Sequence, residues 1–125
     1  MKKQIQTELA PSAIGPYSQA IQVGTTLYIS GQIPLDPQTG KMVPGGIENE
    51  TKRALENLKA IVTAAGGTMQ NIVKTTLLLA DMNDFSVVNE IYGTYFQAPF
   101  PARATFQVAR LPRDARIEIE AIGEI

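Results

Sequence analysis

Apolar and polar residues alternate with period two near both ends of the chain and with a helical period in the middle. In the run opened by Phe100-Pro101-Ala102, Ala104, Phe106 and Val108 fall on one side and Arg103, Thr105 and Gln107 on the other. Strand side chains point alternately to opposite faces, so this pattern predicts a strand. Arg116-Ile117-Glu118-Ile119-Glu120-Ala121-Ile122 alternates in the same way, with Ile117, Ile119 and Ala121 set against Glu118 and Glu120. Upstream, Lys2–Thr7 predicts a short strand. Ala20–Val23 and Thr26–Ser30, flanking Gly24-Thr25, predict a hairpin. Asn71–Leu79 is β-branched and largely apolar, as expected for a strand buried on both faces.

Two stretches carry the helical period. From about Ile47, the residues Ala54, Leu55, Leu58, Ile61, Val62 and Ala65 form one stripe, which Gly66-Gly67 ends. A second helix opens at Asn83 or Asp84 as cap. Phe85, Val88, Tyr92, Tyr95 and Phe96 make its stripe, with Ile91 at the side and Asn89 close by, and Pro99 closes it. Ala10–Ser18 and Gly31–Gly46 are rich in proline and glycine and read as loops. A connection as long as the second is usually functional or mobile.

The order β-ββ-α-β-α-ββ predicts one α+β domain over residues 1–125, a single mixed β-sheet with both helices on one face. If the last two strands pair as a hairpin across Arg110–Ala115, matching polar to polar positions sets Gln107 against Glu118. Arg103, Thr105, Gln107, Glu118 and Glu120 then share the sheet face away from the helices. Such a face suits a small polar ligand. It could also meet copies of itself, and the apolar strand at 71–79 favours an oligomer.

Composition narrows the chemistry. The chain has 125 residues, 44% of them hydrophobic, a net charge of −1, and neither cysteine nor histidine. Disulfides, thiolate nucleophiles, Ser-His and Cys-His catalysis and the usual zinc ligands are therefore excluded. Acid–base work falls to carboxylates, Lys, Tyr, the N-terminus or water. The basic residues are scattered, which argues against a nucleic-acid partner. The N-terminus lacks the apolar run of a signal peptide, and no run approaches a membrane span, so a soluble, cytoplasmic protein is expected. Gly45-Gly46 is not followed by the Gly-Lys-Ser/Thr of a phosphate loop.

Five stretches, taken together and in order, resemble the RidA/YjgF family. They are Ala13-Ile14-Gly15-Pro16-Tyr17-Ser18-Gln19-Ala20, Ser30-Gly31-Gln32-Ile33-Pro34, Phe100-Pro101-Ala102-Arg103, Val108-Ala109-Arg110-Leu111-Pro112 and Ile117-Glu118-Ile119-Glu120-Ala121. The resemblance covers essentially the whole chain. It implies a chorismate-mutase-like α+β fold and a homotrimer whose three sheets form a central barrel, with ligand clefts between neighbouring subunits. It implies hydrolysis of reactive 2-aminoacrylate-type enamines and imines, made by serine and threonine dehydratases, to 2-oxo acids and ammonia, with no cofactor and no metal. Carried over residue by residue, Arg103 grips the substrate carboxylate and Glu118 holds the attacking water. Tyr17 reaches into the cleft, Ser30 and Gly31 lie beside the carboxylate, and Asn89 sits at the rim. Thr105 stands where many members have cysteine, which bears on substrate preference.

The residue types fit that chemistry. A guanidinium forks onto a carboxylate, and a partly desolvated Glu118 could orient water or move a proton. The plainer alternative for Arg103 is a salt bridge to Glu118 or Glu120. At the level of function, one alternative is a non-catalytic sensor that binds a 2-oxo acid or amino acid and acts through a protein partner. Another is a ribonuclease or translation inhibitor, against which the missing histidine and the acidic balance argue.

Overall fold

The computed structural model describes residues 1–125. Its strands are β1 (Lys2–Ile5), β2 (Ala20–Val23), β3 (Thr26–Gln32), β4 (Ile72–Leu79), β5 (Ala102–Gln107) and β6 (Ile117–Glu124), and its helices are α1 (Gly46–Ala64) and α2 (Phe85–Tyr95). All six strands form one mixed sheet in the order β1-β2-β3-β6-β4-β5. The first three make an antiparallel meander, with Ala20–Val23 and Thr26–Ile29 paired as a hairpin. β6 runs antiparallel to both of its neighbours, β3 and β4. β5 runs parallel to β4 at the sheet edge.

Both helices lie on one face for a topological reason. α1 links β3 to β4 and α2 links β4 to β5, and each link joins parallel strands while stepping the same way along the sheet. Crossovers of parallel strands are nearly always right-handed, so two steps in one direction put both helices on the same side. There Leu55, Leu58, Ile61 and Val62 of α1 and Val88 and Tyr92 of α2 bury Leu27, Leu77, Leu79, Ile117 and Ile119. The opposite face, which includes Ile21, Tyr28, Lys74, Thr76, Leu78, Ala104, Phe106, Glu118, Glu120 and Ile122, is left uncovered by this chain.

The glycines at the ends of α1 act through the backbone. Gly45 (φ 106°) precedes the helix, where a Cβ would collide with Asn49, whose Nδ2 donates to the Pro44 carbonyl at 3.0 Å. Gly66 (φ 91°) turns the chain out of it. The Gly31–Gly46 connection is held down. Leu35 bridges Met42, and the fully buried Asn57 donates to the carbonyls of Ile33 at 3.2 Å and Leu35 at 3.0 Å.

Three expectations are corrected. β5 and β6 do not form a hairpin, because β4 lies between them. Gln107 aligns with Leu79 and, across it, with Ile117, so it does not pair with Glu118. A buried central strand needs backbone partners on both edges, and β4 finds them in β5 and β6. The second helix is not capped by the side chain of Asn83 or Asp84. Asp81 accepts from Asn83 N at 2.8 Å instead, at the head of a short 3₁₀ turn (Met82–Asp84), and the Asp84 carboxylate is taken by Arg116. Finally, β4 is covered on one face only within the chain: Ile72, Thr75, Leu77 and Leu79 are buried, while Lys74 is exposed and Thr76 and Leu78 are half-buried.

Candidate functional site

The strand register separates residues that alternation alone had grouped. Ile5, Ala20, Ile29, Ala121, Thr75 and Arg103 are successive partners across the sheet. The first five are buried under the helices, so Arg103 projects to the helix side, at the open edge. Glu118 and Glu120 align instead with Leu78 and Thr76, and through them with Phe106 and Ala104, on the uncovered side. The polar face expected to hold Arg103, Thr105, Gln107, Glu118 and Glu120 together therefore does not exist within one chain. The salt-bridge alternative for Arg103 fails for the same reason.

Arg103 is held ready. Its Nη1 donates to Asn89 Oδ1 at 2.8 Å, and its guanidinium carbon lies 4.9 Å from the Tyr92 ring centroid and 5.5 Å from that of Phe85. Cation–π contact fixes the plane of the fork while leaving its edge available. No carboxylate pairs with it; the ion pairs of the chain are Arg110 with Asp114 and Arg116 with Asp84. Asn89, Tyr92, Gly93, Phe100 and Pro101 line with it a cleft of about 370 Å³. Tyr92, whose hydroxyl meets Thr75 Oγ1 at 2.7 Å, has its pKa raised by burial, so the ring under the cation stays neutral. Thr105 is half-buried, two residues along on the same side of β5. Gln107 accepts from Met82 N at 2.9 Å and so serves the turn before α2.

A second group forms around a bulge in β3. Ile29 pairs with Ala121 and Gln32 with Ile119, so Ser30 and Gly31 together oppose Glu120. The Glu118 carboxylate lies against Gly31, where any Cβ would collide with Oε2. Burial raises the Glu118 pKa, and the charge of Glu120 on the same face raises it further. Ser30 Oγ donates to the Ser18 carbonyl at 2.6 Å, and its N–H to the Gln19 carbonyl at 2.9 Å. The hydroxyl proton is thus committed to the fold, and only the oxygen lone pairs remain to accept from a ligand. Tyr17 is 53% exposed and lines a cleft of about 270 Å³ with Gly31, Gln19, Ser12, Ile14 and Arg113.

The structure therefore brings Arg103, Asn89 and Thr105 together at one edge, and Tyr17, Ser30, Gly31 and Glu118 together elsewhere. Sequence reasoning overlooked Phe100, Gln19 and Arg113 as cleft residues. Arg113 (φ 57°) and Asp114 (φ 56°) both adopt the left-handed conformation after Pro112, and Arg113 Nη1 donates to the Gly40 carbonyl at 2.9 Å. Asp is among the residue types that enter this region, but nothing in the sequence marks Arg113 for it. No group of three or more carboxylates forms a candidate metal site.

Residues 7–125 match the family model described as endoribonuclease L-PSP. The chain belongs to that family, the RidA/YjgF family whose motifs it carries. A mouse relative named 2-iminobutanoate/2-iminopropanoate deaminase is 63% identical over 123 residues, covering 98% of this chain and 91% of the relative. Among solved structures, Escherichia coli TdcF with bound serine superposes with a TM-score of 0.94 at 47% identity, covering 98% of each chain. The E. coli YjgF product superposes at 0.91 with 49% identity, again covering 98% of each.

Proposed function

We propose that this protein is an enamine/imine deaminase, converting 2-iminobutanoate- and 2-iminopropanoate-type compounds with water to 2-oxo acids and ammonia. The observation that carries the reading is Arg103, a guanidinium fixed by Asn89 and two aromatic rings and free of any carboxylate of its own chain. The relatives' name supplies the reaction class.

The site is composite, in a homotrimer. Arg103, Asn89 and Thr105, at the open β5 edge of one chain, meet Tyr17, Gly31 and Glu118 of a neighbour, whose Glu118 lies on the sheet face that its own chain leaves uncovered. Arg103 holds the substrate carboxylate through two parallel N–H···O bonds. Glu118 takes a proton from water as its oxygen bonds to the imine carbon. The C=N bond becomes a C–N single bond and Glu118 passes that proton on to the nitrogen, giving the carbinolamine. Glu118 then takes the carbinolamine hydroxyl proton and delivers it to the nitrogen as the C=O forms, the C–N bond breaks and ammonia leaves. Imines are reactive, so a held carboxylate and an aligned water supply most of the acceleration.

A coupled assay tests this. Threonine dehydratase generates the imine and semicarbazide traps it. The parent should abolish trapping at catalytic concentration and Arg103→Ala should not; equal trapping with both would overturn the assignment. The sensor reading draws on one observation, the relative solved with serine bound. It would be favoured by saturable binding of 2-oxobutyrate with no change in imine lifetime.

A further inference from the structure

Tyr17 sits near the end of a loop that carries no regular structure, yet the loop is closed at its base, on the side away from the strands, by one side chain. Gln19 is 3% exposed. Its Oε1 accepts from Thr7 N at 2.7 Å, and its Nε2 donates to the carbonyls of Thr7 at 3.0 Å, Pro11 at 2.8 Å and Ala10 at 3.3 Å. The strand side of the base is closed as well, by Ser30 N on the Gln19 carbonyl at 2.9 Å and Ser30 Oγ on the Ser18 carbonyl at 2.6 Å. Residues 12–18 are thus pinned at both ends, while Ile14 (81% exposed) and Tyr17 (53%) point outward. The exposed Tyr17 ring and Ile14 side chain are carried on a segment anchored by a buried amide, and the hydrogen bond within residues 12–18 is Tyr17 N to the Gly15 carbonyl at 2.9 Å.

We infer that Gln19 is a positioning residue for the reaction: it closes the 11–19 segment into a preformed loop that presents Tyr17 to the substrate. It touches no reacting atom. Its effect is to remove the entropy of loop closure from the binding step, since an unpinned segment would order only when substrate arrives. The inference rests on the proposed deaminase site, in which Tyr17 contacts substrate.

The test is a double-mutant cycle on kcat/KM in the imine assay, using Gln19→Met, Tyr17→Ala and both together, with thermal melts to keep every variant well below its unfolding range. Gln19→Met should lower kcat/KM about tenfold in the Tyr17 background, mostly through KM, and less than about twofold in the Tyr17→Ala background. Equal losses in both backgrounds would mean that Gln19 only stabilises the fold, and would overturn the inference. If Tyr17→Ala alone keeps the parent kcat/KM, the placing of Tyr17 in the site fails and the positioning role fails with it, while loss of activity in Arg103→Ala would still uphold the deaminase reading. Should Gln19→Met not fold, the cycle is run with Gln19→Glu. That variant keeps the acceptor for Thr7 N and turns a carboxylate on three carbonyls, and the same two outcomes decide.

Discussion

Arg103 and Glu118 are both charged strand residues, but their surroundings ask different things of them. Arg103 is exposed and pre-oriented, so its value lies in geometry. Arg103→Lys keeps the charge and loses the fork, and should raise KM about tenfold; Arg103→Ala should lower kcat/KM about a hundredfold, as read in the imine assay. Glu118 is half-buried with its pKa raised above the ordinary 4.5, first by burial and then by Glu120. Activity that needs the ionised form should fall with acidification at a higher pH than an exposed carboxylate would give, and Glu120→Gln should move that limb to lower pH. The sign for stability is the opposite. The folded state binds this proton more tightly than the unfolded chain does, so the group's stabilising contribution is present below about pH 4.5 and is lost as pH rises through the raised folded value. Glu118→Gln should therefore melt higher than the parent at pH 8, with the gap closing near pH 4.

At the scale of elements, β3 and α1 act as the frame. The bulge that sets Ser30 and Gly31 against Glu120 leaves room beside Gly31 only for the Glu118 carboxylate. Gly31→Ala should preserve the far-UV spectrum while cutting activity about as deeply as Glu118→Gln, because the added Cβ displaces the same carboxylate. Asn57, itself fully buried, ties the 33–46 connection to α1 by donating to the carbonyls of Ile33 and Leu35. Asn57→Ala should lower the unfolding free energy by about 2 kcal/mol in urea titrations at fixed protein concentration, with the m-value unchanged. That connection was readable as a long loop from its prolines and glycines, but not as a fixed one. The residue that fixes it lies 22 and 24 positions away, in the middle of a helix.

For the whole molecule, the decisive fact is that the two halves of the candidate site lie on opposite faces of one sheet. If neighbouring chains combine them, inactive Arg103→Ala and inactive Glu118→Gln should complement when co-refolded. Random assembly then gives roughly a quarter of the parent activity, the chance that an interface draws its arginine from one variant and its glutamate from the other. Persistent inactivity of the mixture would place both groups in one chain's site, contrary to the composite arrangement.

Sequence by itself determined the elements, their order and the fold class, because hydrophobic period, glycine stops and proline breaks are local properties of the chain. It also singled out Arg103 and Glu118 through charge and alternation, and Tyr17, Gly31 and Asn89 through the resemblance to the RidA/YjgF family. The partner of each strand was decided only by the tertiary structure. Alternation states that Arg103 and Glu118 each lie opposite their apolar neighbours, but not which apolar set faces the helices. Inserting β4 between β5 and β6 settles that, burying Ile117, Ile119 and Ala121 while turning Ala104 and Phe106 outward. Strand pairing is a contact between distant segments, and a one-residue change in register sends a side chain to the other face. The side chain of Arg103 therefore follows from its neighbour across the sheet, which its own strand does not encode.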